Sequence, residues 1–201
     1  MGQPDFMETY DPKDSRMKDC WLFGDVFYPD GTPYIVEGRQ MNLKYDTKDI
    51  PPSKFIDGLG RFDGARIIKW PYQNDGSLTN YLVSMDNDFF LMRYSDVVLM
   101  YAEALVRQSK SASGIDDLKT IRKRAGLESV PFNVNNLEEL LLERKHELAM
   151  EGWTRQDLIR FGKYTRAWWA KDADDDHVLL LPIPSEVLGS NPNLKQNQGY
   201  N

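Results

Sequence analysis

Glu143-x-x-His146 has the spacing with which a helix offers two ligands to one metal. It lies in LLLERKHELAMEGWTRQDLIRFG (140–162), which also sets Arg144, Glu147, Glu151 and Arg155 among leucines. Charges so placed could do acid–base work or tie helices together. Ligand supply argues against a metal, because the chain has two histidines, His146 and His177, and one cysteine, Cys20. A di-iron bundle needs a second Glu-x-x-His and two further carboxylates, and HELAM lacks the second histidine of the zinc-protease pattern. Helical spacing puts Leu137, Leu141 and Leu148 on one face, with Arg144, Glu151 and Arg155 near its centre and His146 roughly opposite. Buried lone charges are costly, so pairing is expected: Arg144 with Glu147 or Glu151, and Glu151 with Arg155 across Gly152. We read Arg144, Glu147, Glu151 and Arg155 as a structural ion network.

DADDDH (172–177) places Asp172, Asp174 and Asp176 at the first three ligand positions of a calcium loop. His177 stands where that loop needs glycine and Ile183 where it needs glutamate, so a solvated acidic loop is the main reading and calcium the lesser one. GLGRFDG (58–64) supplies glycines without a clear strand before or helix after, so a turn outweighs a phosphate cradle. There is no Gly-x-Ser-x-Gly elbow, phosphate loop or zinc-ligand set. Among 31 acidic residues an acid–base pair stays open.

The aromatic residues carry more. With five Trp and ten Tyr, the chain has more large rings than a small core needs, among them Trp21, Trp70, Tyr72, Trp153, Trp168 and Trp169. Sugars stack apolar C–H faces on flat rings while amides, carboxylates and guanidiniums satisfy their hydroxyls. KWPYQNDG (69–76) and TRAWWAKD (165–172) combine both, making Trp70, Tyr72, Asn74, Trp168 and Trp169 candidate glycan contacts. The competing reading packs Trp70 and one of Trp168 and Trp169 onto the helices.

These residues need a scaffold, and 201 residues allow one domain with a substantial core. The net charge of −6 argues against a nucleic-acid binder. A single cysteine excludes an internal disulfide framework. No run reaches the roughly 18 apolar residues of a membrane span, and MGQPDFMETY lacks a signal-peptide apolar region. Phe6 also stands where a myristoylation signal needs Ser or Thr, so the start suggests a fragment of something longer.

The first ninety residues are turn-rich and partly β, with a hairpin turning at Pro29-Asp30-Gly31-Thr32 and short strands at RIIKW and NYLVS. Four helices follow. SDVVLMYAEALVRQ is apolar nearly all round, as for burial on most sides. The second starts at Ser113-x-x-Asp116 and stops at Gly126, and the third runs from Asn135-x-x-Glu138 to Gly152. The fourth has Thr154 as N-cap and Gly162 as stop. The remainder is loop, with HVLLLPIP strand-like.

Four segments in order resemble one family. MRYSDVVLMYAEALVR is similar to its R-Y-x-D-V-L-L-x-Y-A-E-A-L helix, and DLKTIRKRAGL to its L-N-x-I-R-x-R-A-G-L segment. LLLERKHELAMEGWTRQDLIRFG resembles E-R-x-x-E-L-x-x-E-G-x-R-x-x-D-L-x-R-x-G, and the end resembles P-I-P … N-P-x-L-x-Q-N-x-G-Y. This is the SusD/RagB family of nutrient-binding outer-membrane lipoproteins of Bacteroidetes, matched over about 92–201. The resemblance implies a mainly α, non-enzymatic, lipid-anchored cell-surface protein without a cofactor. It would deliver a glycan or other nutrient to a SusC-like TonB-dependent transporter. It implies a C-terminal portion, with the signal peptide, lipidated cysteine and tetratricopeptide-like repeats outside this chain. The matching positions Arg93, Glu103, Arg144, Glu147, Glu151, Arg155, Asp157 and Arg160 are read as structural.

The expected fold is thus mainly α, with helical hairpins at 91–201, a loop-rich and partly β region at 1–90, and an extended C-terminal tail. Two alternatives stay open: a helical interaction scaffold with no small-molecule ligand, and a glycan hydrolase using paired carboxylates in a cleft.

Overall fold

The computed structural model describes residues 2–44, 64–70, 88–168 and 171–200. NYLVS and nearly all of GLGRFDG lie outside them. The chain forms two compact units, Met1–Thr154 and Arg155–Asn201. It is mainly α, with a partly β N-terminal region, as expected.

The first unit opens with the short helices α1 (Pro4–Met7) and α2 (Arg16–Asp19). Six two-residue strands then pair antiparallel: β1 (Trp21–Leu22) with β6 (Arg66–Ile67), β2 (Gly24–Asp25) with β5 (Asn42–Leu43), and β3 (Ile35–Val36) with β4 (Arg39–Gln40). The Pro29–Thr32 turn forms where the sequence puts it: Gly31 takes φ +83°, its N–H bonds the Tyr28 carbonyl at 2.9 Å, and Asp30 accepts from the Thr32 N–H. A second hairpin turns at Glu37-Gly38, both with positive φ (52° and 78°). Glutamate seldom accepts that backbone, which is why the sequence hides this turn.

Three longer helices follow. α3 (Tyr94–Arg107) packs against α4 (Asp116–Arg124) and α5 (Leu137–Glu147), burying Val98, Leu99, Ala102, Ala112, Leu118, Ile121 and Leu140. Burial of α3 is one-sided, contrary to its apolar pattern. Tyr94 is 67% and Tyr101 57% exposed, and Val97 is exposed on the same side. Both packing partners cover the opposite face.

Two caps also differ from expectation. Ser113 bonds Ser111 and Asn135, and Ile115 precedes α4 without a side-chain cap. Asn136, not Asn135, caps α5, accepting from the Glu138 N–H at 2.9 Å; Asn135 accepts from the Ala112 N–H and ties the interhelix loop down. Gly126, Gly152 and Gly162 adopt the left-handed backbone expected of helix stops. A second core joins Met7, Tyr10, Trp21, Ala65 and Ala149.

The second unit contains most of α6 (Thr154–Arg160), a 3₁₀ turn (Asp176–Leu179) and α7 (Ser185–Ser190). HVLLLPIP pairs with no described strand. Its backbone is instead satisfied by side chains of the tail. Gln196 accepts from the Ile183 N–H (2.8 Å) and donates to its carbonyl (2.9 Å). The Asn197 amide donates to Leu181 O and the Tyr200 hydroxyl to Leu180 O.

Candidate functional site

The charges of α5 sit at the centre of the first unit. Glu143 accepts from Arg16 (2.8 Å) on α2 and from Arg122 (2.7 Å) on α4. Glu147 binds Arg16 (3.1 Å), Arg93 (2.6 Å) and Arg124. Glu151 is gripped by Arg93, at 2.8 and 3.0 Å from the same nitrogen, and by Lys69. The Glu147 carbonyl, at the end of α5, also accepts from Lys69 at 2.7 Å and from Arg93, so cations cap the negative end of that helix. Asp14 holds Arg16 through both carboxylate oxygens, at 2.9 and 2.7 Å.

The partners differ from those expected. Arg144 bonds Asp96 of α3 at 2.8 Å, both fully buried. Glu147 and Glu151 are paired by groups from α2, α4, the start of α3 and the segment after β6. Arg155, in the second unit, donates to the carbonyls of Val178 and Leu179 and lies 5.0 Å from the Tyr164 ring centre. His146 does not face away from the core. It is buried, stacks on Tyr10 with ring centres 4.0 Å apart, and its Nε2 lies 2.8 Å from the Thr9 hydroxyl. Six further charged residues complete these ion pairs: Asp14, Arg16, Lys69, Asp96, Arg122 and, from the surface, Arg124. Three of them stand inside the quoted helical motifs, which was the available signal.

This electrostatics fixes the protonation of Glu147 and His146. Burial would raise the Glu147 pKa, but Arg93 and Arg124 overcome it and hold the carboxyl at about 2. Burial, reinforced by Arg16, pushes the His146 imidazole down to about 3. A proton carrier at neutral pH needs a value near 7, and neither group has one. The 270 Å³ cleft between the segment joining α1 to α2, the 127–132 loop and α5 does present Asp11, Asp14, Glu139 and Glu143, as a hydrolase would require. Asp14 and Glu143 there are both bound to Arg16.

The aspartates of 172–176 do not converge. Asp174 pairs with Lys171 at 2.6 Å, and no group of three His, Cys, Asp or Glu among the described residues could hold a metal.

The aromatic candidates separate. Trp21 is core, its indole N–H reaching the Tyr10 hydroxyl at 3.2 Å. Trp70 stacks on Phe89 (5.3 Å, 25°). Trp168 lies 6.1 Å from Tyr164, with the Lys171 ammonium 4.6 Å from its ring centre and backbone bonds in both directions between Trp168 and Lys171. Tyr164, Trp168, Lys171 and Arg155 thus form an aromatic–cationic patch within the second unit. Tyr72, Asn74 and Trp169 lie outside the described residues.

Residues 3–178 match the model of the SusD family. The chain belongs to the SusD family. The starch-binding protein SusD of Bacteroides thetaiotaomicron is 34% identical over 155 residues, which are 72% of this chain and 28% of that protein. SusD-like protein P38 of Formosa agariphila is 26% identical over 212 residues, 98% of this chain and 40% of the relative. The chain therefore spans well under half the length of these relatives. A crystal structure of a SusD superfamily protein from Parabacteroides distasonis superposes with a TM-score of 0.67 at 26% identity, covering 98% of this chain and 41% of that one. Surface glycan-binding protein A from B. thetaiotaomicron, solved with laminarihexaose, gives 0.67 at 20% identity, covering 97% of this chain and 40% of that one; this is a likeness of fold.

Membership gives the motifs a physical content. Arg93 from the first, Arg122 and Arg124 from the second, and Glu143, Glu147 and Glu151 from the third meet in one ion network around buried carboxylates, while Asp96 from the first and Arg144 from the third form a separate buried pair. The SusD-like C-terminal motif is the set of side chains that satisfies the 180–183 backbone.

Proposed function

We propose that this chain belongs to a non-catalytic, cell-surface protein of the outer membrane that binds a glycan and passes it to a SusC-like TonB-dependent transporter. The observation that carries this reading is the family match together with 34% identity to a protein named for binding starch. Two features agree with it. The buried carboxylates are engaged by guanidiniums, and rings on which a sugar can stack are offered by Trp70 in the first unit and, separately, by Tyr164 and Trp168 beside Arg155 and Lys171 in the second. The test is calorimetric titration with a panel of oligosaccharides, using wild type, Trp70→Ala and Trp168→Ala. Binding weakened about tenfold in either variant, the size of a lost stacking contact, is the expected result. Equal affinity in all three proteins removes both tryptophans as contacts, and no binding to any glycan removes the reading. New reducing ends after incubation would make the protein a hydrolase.

A second reading is favoured by the exposed side of α3, where Tyr94, Val97 and Tyr101 continue the exposed run Phe89–Met92. Such a face suits a protein partner. Tyr101→Glu should then weaken capture of that partner and leave glycan affinity unchanged.

A further inference from the structure

Three strand segments meet at Val26, Tyr34 and Met41 in a closed ring of backbone hydrogen bonds. The Val26 N–H donates to Met41 (2.8 Å), Met41 to Tyr34 (2.8 Å) and Tyr34 to Val26 (3.0 Å). The two hairpins leave this junction, and each is closed by a tight turn whose glycine has positive φ. The first is further fastened by the Phe27–Pro33 bridge, the Tyr28 N–H bond to Thr32 O and the Asp30–Thr32 contacts. Its pairing sets Tyr28 and Tyr34 diagonally across one face, above the buried Val26. Their ring centres are 5.0 Å apart at 56°, and they remain 48% and 36% exposed.

We propose that the Tyr28–Tyr34 pair is a carbohydrate contact, and that it takes a neutral sugar unit. The proposal rests on the glycan-binding reading and adds to it a site and a ligand class. Two rings inclined at 56° form an open notch, in which one ring can lie under the C–H face of a pyranose while the other borders its edge. Tyrosine suits this because a rigid two-torsion side chain loses little freedom on binding and its hydroxyl can bond a sugar hydroxyl. The junction holds the backbone of the notch before the ligand arrives, which lowers the ordering cost. Charge selects the class. Between residues 25 and 39 the chain carries Asp25, Asp30 and Glu37 against the single cation Arg39. Such a surface repels uronate-bearing or sulfated chains and leaves neutral ones unopposed.

The cross-strand pair could serve hairpin stability alone, and the test separates the two roles. Maltohexaose, laminarihexaose and a galacturonate hexamer are titrated into wild type, Tyr28→Ala, Tyr34→Ala and the two Phe variants. A neutral hexaose should bind, each Ala variant should weaken it about tenfold or more, and the Phe variants should stay within about threefold. Ring resonances of Tyr28 and Tyr34 in the wild type should shift on adding that hexaose, which needs no variant to fold. Neutral binding that leaves those resonances unmoved and both Ala variants within about twofold overturns the site and spares the glycan reading. Binding of the galacturonate alone overturns the neutral class. No binding of any glycan overturns both.

Discussion

Arg144 and Asp96 are 48 residues apart in sequence, yet their side chains meet at 2.8 Å with 2% and 0% of their surface exposed. Taking the carboxylate away from a guanidinium at that depth breaks a buried ion pair, so Asp96→Ala should cost about 3–5 kcal/mol. Replacing both residues by apolar ones of similar volume should recover most of that loss, because the desolvation of both ions disappears as well. Urea unfolding of the single and double variants measures it. A loss below about 1 kcal/mol in Asp96→Ala, the level of a surface pair, would mean that water reaches the site.

Glu151 belongs to the ion network at the end of α5, bound to Arg93 and Lys69. Glu151→Ala takes a carboxylate from Lys69 and one of two from Arg93 and should destabilise by several kcal/mol, whereas Lys119→Ala, on the exposed Asp116, should cost far less. Equal effects in the two variants would contradict a buried network at the end of α5.

Acid should weaken the first unit in two stages. With a folded pKa of about 3 against 6.5 unfolded, His146 stays neutral in the fold while the unfolded chain takes up a proton. Stability therefore falls as pH drops from 6.5 towards 3, by up to about 1.4 kcal/mol per pH unit. Glu147, at about 2 against 4.5 unfolded, contributes stability above pH 4.5 that is lost as pH falls from there to about 2. Urea midpoints at pH 7 and pH 5 should differ clearly in wild type and much less in His146→Gln. The same difference in both proteins would remove His146 as the cause.

Gly199 sits at φ +91°, and a Cβ placed there would overlap the His177 Cβ. Backbone strain and overlap act together, so Gly199→Ala should loosen the second unit by about 2 kcal/mol or more. Hydrogen exchange over 177–200 reads this directly. Protection equal to wild type would show that the tail can shift at little cost.

Gln196→Ala leaves the Ile183 N–H and carbonyl without their partner, at about 1–2 kcal/mol. Faster exchange of the Ile183 amide is the expected signature, with the amides of α5 unchanged. An unaltered Ile183 rate would place the tail's hold elsewhere.

The features legible in the sequence are those that neighbours in the chain decide. The helical character of α3 and α5, the left-handed glycines at 126, 152 and 162, and the Pro29–Thr32 turn each follow from a few adjacent residues. The ordered motifs likewise carry family membership. The mispairings came from distance: Arg144 looked towards Glu147 and Glu151 on its own helix, while its partner lies on α3. Helical spacing shows that a charge must be buried, and only the packing of α2, α4 and the start of α3 against α5 says which counter-charge reaches it. HVLLLPIP is misread for a similar reason. An apolar run looks like a strand, but a strand needs a neighbour, and tertiary structure put the side chains of Gln196, Asn197 and Tyr200 there. Local sequence thus specified the four helices α3–α6, the glycine stops and the need for ion pairs. Tertiary structure decided the partners, because electrostatic and hydrogen-bond complementarity act through space between residues the chain keeps far apart.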